Sequence, residues 1–226
     1  MRYYILLITT LFFFSCGKGK TVQLPEISHS EISEINDVSA AYLFYDETQK
    51  DSVELNRKNL ISTTNWLFNV DKRLTLKQAI PHIKFLQEKK QNSSHKNENS
   101  KNYFTCNDTS KKNLGFIEFT DVVYHKEPAG EYFTKISDIP KNVRLSITFS
   151  NKIEIMGFME DLINKTSTKD NLINDLKDLF SNKEQDVELI LNFSDNLSFQ
   201  DYITYKSLLS ELDIENLTII KDEFIY

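Results

Sequence analysis

Apolar and polar positions alternate most clearly in the C-terminal part of the chain. Val143, Leu145, Ile147 and Phe149 occupy every second position, the period of a strand with one buried face. Ser150-Asn151 then forms a tight turn into Ile153 and Ile155, the second arm of a hairpin. Leu172, Ile173, Leu176, Leu179 and Phe180 fall at helical spacing, and Ser167-x-x-Asp170 or Thr168 can cap their start. Val187 to Phe193 reads as a short apolar strand. Residues 197–212 read as a second helix, with Phe199, Tyr202, Ile203, Leu209 and Leu212 on one side and Ser198-x-x-Asp201 as its capping box. Leu217 to Ile220 closes the chain as a strand. The order is β-β-α-β-α-β, and right-handed crossovers predict both helices on one face of a single sheet.

The N-terminal part gives a similar order. Ala41 to Tyr45 reads as a strand, Ser52 to Leu55 as its hairpin mate and Trp66 to Val70 as another strand. Leu76, Ala79, Ile80, Ile83 and Leu86 form a helical stripe opened by the capping box Thr75-x-x-Gln78, with Pro81 placed to kink it. Residues 91–112 are rich in Asn, Ser, Lys and Glu and read as a mobile insertion, after which Phe116 to Phe119 resumes a strand. Setting Trp66–Lys89 against Leu189–Leu212, a shift of 123 residues, aligns strand with strand and helix with helix. Asn69/Asn192, Leu74/Leu197, Ile80/Ile203, Leu86/Leu209 and Glu88/Glu211 are identical, and cap Thr75 falls on cap Ser198. The expected fold class is therefore α+β, two similar sheet-plus-helices units of which the second is clearer.

Composition narrows the function classes. The chain has 226 residues and a formal charge of −6, enough length for a real core and too acidic for general nucleic-acid binding. Its five glycines, Gly17, Gly19, Gly115, Gly130 and Gly157, make neither GxGxxG nor a Walker loop, so the standard nucleotide cradles are missing.

The N-terminus changes the picture most. Tyr3 to Phe14 is an apolar run of about 12 residues, short of a membrane span and the right size for a signal h-region. Phe13-Phe14-Ser15-Cys16, a small residue and a Cys closing that run, resembles a bacterial lipobox of the relaxed kind seen in Bacteroidota, with Phe13 where Leu is usual. The resemblance implies cleavage after residue 15, diacylglycerol on the Cys16 thiol and a mature charge of −7 once Arg2 is lost. Several acyl chains anchor stably where one is marginal. Residues 16–36 then read as a lipid-anchored tether, and Gly17-Lys18-Gly19-Lys20 lacks the acidic cluster of a Bacteroidota-like surface-export signal, so the resemblance implies an outer-membrane protein facing the periplasm. The remaining boundaries are 37–139 for the first unit and 140–226 for the second. Lipidation leaves Cys106 alone, without a disulfide partner or a nearby His, and it reads as an unreactive thiol.

The stretch Leu189-Ile190-Leu191-Asn192-Phe193-Ser194-Asp195-Asn196-Leu197-Ser198-Phe199, followed by the strand at Leu217–Ile220, resembles the extracytoplasmic domain of the ExbD/TolR biopolymer-transport family. Residues 68–80 resemble it again. That family's strand-end Asp falls on Asp71 in the first copy, whereas the second has Ser194 with Asp195 one position late. The family's membrane helix with its essential Asp has no counterpart here, since Tyr3–Phe14 holds no acid. The resemblance thus implies a fold and an interaction habit, not proton coupling.

Little else points to chemistry. His29, His82, His95 and His125 form no HxxxH or HExxH, and there is no CxxC or GxSxG, so neither a metal site nor a nucleophile elbow is expected and no cofactor is implied. Asp71 and Asp195 are the candidate binding residues, at strand ends where a turn or cap role is the alternative. One reading is a non-catalytic envelope lipoprotein binding an envelope protein or peptidoglycan, or dimerising through a C-terminal edge strand. The other is a small-ligand-binding or hydrolytic lipoprotein with a cleft between the units, using Asp71 and Asp121 beside His82 or His125.

Overall fold

The computed structural model describes residues 19–95, 97–136, 143–181 and 185–226. The signal segment and Cys16 lie outside the described residues. The chain is α+β, with two six-stranded mixed sheets and four helices among the described residues.

In the first sheet β2 (Val38–Tyr45) and β3 (Val53–Asn56) form the hairpin, β4 (Asn65–Val70) runs parallel to β2, and helix α1 (Leu76–Gln91) crosses to β5 (Asn102–Asp108), parallel to β4. Strand β6 (Asn113–Glu118) returns antiparallel along β5. The insertion expected at 91–112 is thus corrected: it contains β5, an inner strand. Its Asn-rich flanks and the sequence Asn-Tyr-Phe-Thr-Cys-Asn-Asp hide a run buried on both faces, including Phe104 and Cys106 at 0% exposure. Burial pushes the Cys106 thiol up to about 12.

The tether expectation is corrected over its second half. Strand β1 (Glu26–Ile27) pairs parallel with the end of β5, Ile27 is buried, and Ile32 bridges to Phe116 on β6. Asp108 is the anchor: its carboxylate accepts from the backbone of Ser30, Ser110 and Lys111 and from the Ser110 hydroxyl. Those donors, the Ser110 hydroxyl foremost, hold its carboxyl below the usual range.

The second sheet runs β10-β9-β8-β11-β12-β7. Strands β8 (Val143–Phe149), β9 (Ile153–Phe158) and β10 (Leu162–Ser167) form an antiparallel meander, one strand more than the expected order. Helix α3 (Leu172–Phe180) leads to β11 (Val187–Phe193), and α4 (Phe199–Ser210) to β12 (Leu217–Ile225), both strands parallel to β8. The cap of α3 is Asn171, without a side-chain cap bond, rather than Ser167 or Thr168; Ser167 instead donates to Asp175. The cap of α4 is Ser198, accepting from the Asp201 backbone as expected.

The boundary between the units moves. Strand β7 (Val123–His125) pairs parallel with β12, and helix α2 (Ala129–Lys135) sits on Ile190 and Phe224, so residues expected in the first unit belong to the second sheet. Ile190 points away from Leu189 and Leu191, whose side chains face the main core, so α2 covers the opposite sheet face from α3 and α4. Strand β7 covers β12 over Asp222–Phe224 only, so Leu217–Ile220, the expected edge, has no strand on that side among the described residues, and the edge on the other side of the sheet is β10.

Both sheets and the helices α1, α3 and α4 share one hydrophobic core. On α4, Phe199 and Tyr202 reach Phe104 in the first sheet at 5.2 and 6.1 Å, while Tyr202 also meets Phe193 in the second at 5.0 Å.

Candidate functional site

The two strand-to-helix turns that the sequence aligns meet face to face. Thr75 and Ser198, the two helix caps, form an isolated antiparallel bridge. Leu76 N donates to Leu197 O, and Phe199 N to Leu74 O; Lys77 N donates to Asp195 O, and Gln200 N to Lys72 O. Under the 123-residue shift each bond maps onto the other of its pair. The junction is isologous, the geometry of a two-fold dimer built within one chain. It also satisfies N–H groups that the first turns of α1 and α4 would otherwise leave open. The equivalence reaches the flanks: Asp71 N donates to Leu43 O as Ser194 N does to Phe149 O, and Lys72 N to Gln23 O as Asp195 N does to Tyr226 O.

Beside this junction lies a cleft of about 240 Å³ between α1, β7 and the end of β12. Leu76, Ile80, Pro81 and Ile225 give it an apolar floor, while Lys77, Lys84, Lys126, His125 and Asp195 stand around it. Pro81 lies within α1 and has no N–H for the Lys77 carbonyl, yet the helix continues unbroken to Gln91.

The candidate acids separate here. Asp195 lines the cleft, with its carboxylate 3.4 Å from the Lys77 ammonium. Asp71 does not: it is fully buried, paired through both oxygens with Nε and Nη2 of Arg73 at 2.8 Å, and accepts from the backbone of Arg73 and Gln23. Burial pushes its carboxyl up, but the guanidinium and the N–H donors outweigh that and hold it below the usual range. Those contacts fix the turn into α1. Asp121 pairs with Lys221 on the surface, and His82 is partly buried on α1, which lowers its pKa; neither lines the cleft.

His125 does line it. Its Nε2 meets Asp222 Oδ1 at 2.5 Å, and its ring stacks on Phe224 at 4.9 Å and against Tyr132 at 4.2 Å. Tyr124, also in the lining, continues inward: its hydroxyl lies 3.3 Å from that of Tyr202, which donates to the fully buried Glu223, itself paired with Lys206.

Of the cleft's charged residues, the sequence singles out Asp195 and His125 but not Lys77, Lys84 or Lys126. A signal was present, because Lys77, Ile80 and Lys84 recur at i, i+3 and i+7 and so share one face of α1.

Among the described residues no group of three His, Cys, Asp or Glu side chains is placed to hold a metal ion, and no helix is long and apolar enough to cross a membrane. No protein-family model, curated protein or solved structure matches the chain.

Proposed function

We propose that this chain is a lipid-anchored protein of the bacterial cell envelope, held through Cys16 at the outer membrane and facing the periplasm, which binds rather than catalyses. The partner is an envelope protein or peptidoglycan, as the ExbD/TolR-like pattern implies. The lipobox-like Phe13-Phe14-Ser15-Cys16 supports the anchor. A hairpin followed by α3-β11-α4-β12 supports the likeness to that family's extracytoplasmic domain, with β10 as an addition.

The observation that supports binding is the cleft lining. It sets charged side chains, Lys77, Lys84, Lys126, His125 and Asp195, around a floor that is largely apolar, the make-up of a binding site. Strand addition by a partner or a second copy suits Leu217–Ile220 of β12, which β7 leaves uncovered, or β10, an edge strand carrying the exposed Leu162 beside Phe158.

Metabolic labelling with an alkyne fatty acid tests the anchor: wild type takes the label and fractionates with membranes, whereas Cys16→Ala does neither. A photo-crosslinking residue at position 126 tests binding: adducts to an envelope protein or peptidoglycan fragment are expected. Absence of label overturns the anchor, and absence of adducts overturns the partner.

A further inference from the structure

We propose that the cleft between α1, β7 and the end of β12 takes an organic anion, an apolar body carrying one carboxylate or phosphate group. This rests on the reading of the cleft as a binding site and adds the class of ligand it recognises.

Charge complementarity carries the argument. The chain as a whole is acidic at −6, yet three ammonium groups, Lys77, Lys84 and Lys126, stand around one small cleft against one lining carboxylate side chain, Asp195, and the carboxyl end of the chain at Tyr226. Their own pairings leave part of that positive charge uncompensated. Lys126 makes no ion pair among the described residues. Lys84 donates only to the Tyr124 carbonyl at 3.3 Å, a neutral acceptor. Lys77 holds Asp195 at 3.4 Å, beyond ordinary hydrogen-bond length, and its side chain is 71% exposed. His125, the other basic group in the lining, is committed to Asp222.

The floor sets the rest of the ligand. Pro81 is exposed and gives most of the aliphatic surface, with the edges of the nearly buried Ile80 and Ile225 beside it and the fully buried Leu76 beneath. A bare inorganic anion gains nothing from that surface, and a neutral hydrocarbon gains nothing from the lysines. An ammonium beside low-dielectric walls attracts an anion more strongly than one in open water. Only a molecule with both parts uses the whole cleft.

Isothermal titration of the full chain carrying Cys16→Ser, which keeps lipid from the assay, tests the assignment. Four probes are compared: octanoate, octyl phosphate, octanamide and inorganic phosphate. At least one octyl anion is expected to bind, with octanamide and inorganic phosphate each weaker by about tenfold or more. Lys126→Ala and Lys84→Ala should each weaken the anion by about three- to tenfold, while Lys152→Ala, at the β8–β9 turn, should leave it unchanged. Which octyl anion binds tighter names the head group.

Equal binding of octanoate and octanamide overturns the charge assignment, and equal binding of octyl phosphate and inorganic phosphate overturns the apolar one. No binding by either octyl anion overturns the proposal outright. Envelope adducts from position 126 would still stand in that case, and anion binding without adducts would remove the envelope partner and leave the ligand.

Discussion

Asn69 and Asn192 make the same hydrogen bond in different sheets. Asn69 lies opposite Tyr42 and donates its amide to the Ala41 carbonyl; Asn192 lies opposite Thr148 and donates to the Ile147 carbonyl. In both cases the acceptor is one residue before the register partner, on the neighbouring parallel strand. A buried amide clamps each strand pair just before the chain turns into its helix. Asn69→Ala and Asn192→Ala should each lower unfolding stability by about 1–2 kcal/mol in urea titrations. The two residues share no hydrogen-bond partner, so the double variant should lose the sum within about 0.5 kcal/mol.

The docking of residues 26–32 depends on the missing side chain at Gly115. A Cβ there would lie 2.6 Å from Ser30 Cβ and 3.0 Å from the Ile27 side chain. Gly115→Ala therefore pushes the segment off β6 and should cost about 1–3 kcal/mol, with faster proteolysis in residues 19–32. Ser30→Gly removes the clashing atom. In a double-mutant cycle the pair should cost less than the two single losses together, and simple additivity would place the strain elsewhere.

Asp71 predicts an acid-sensitive turn. Its folded pKa lies below that of the unfolded chain, so its contribution is complete above the ordinary carboxylate value near 3.9 and fades as pH falls through the folded value. Asp71→Asn should cost about 2–3 kcal/mol at pH 7, by loss of the charged partner of Arg73 and of its own acceptors. The stabilities of wild type and variant should converge in acid. A gap as large at pH 2 as at pH 7 would mean the loss is not electrostatic.

Much of this architecture was legible before any coordinates. Val143–Phe149 and Val187–Phe193 coincide with β8 and β11 because their faces alternate or run apolar without interruption. The shift that aligned Thr75 with Ser198 marks a physical junction, since both turns need the same backbone bonds. What stayed hidden was written in polar letters. Strand β5 carries Asn102, Thr105, Asn107 and Asp108, three of which are buried because hydrogen bonds satisfy them or because neighbouring strands cover them. Strand β7 has three residues, too few for any period to register. Asp71 and Asp195 both follow a strand end but lie one position apart in the aligned turns, and contacts made across the fold bury the first and leave the second at the cleft.

Lys90 gives the opposite pH dependence. The residue is 6% exposed, and its ammonium donates to the Lys101 carbonyl and to Asn102 Oδ1 and lies 5.4 Å from the Trp66 ring centroid. No carboxylate pairs with it, so burial disfavours the charged form and lowers its pKa to about 8. The unfolded chain keeps the ordinary value near 10.4. Below pH 8 both states hold the proton and the burial penalty is fully present. Between about 8 and 10.4 the folded chain has released a proton that the unfolded chain retains, so stability rises with pH by up to about 3 kcal/mol from this group. Urea titrations at pH 7, 8, 9 and 10 on wild type and Lys90→Met, compared as differences to cancel all other groups, should show wild type gaining on the variant across that window. A constant difference would mean that the ammonium titrates at its ordinary value, and that the carbonyl, the amide and the indole face together stabilise it as well as water does.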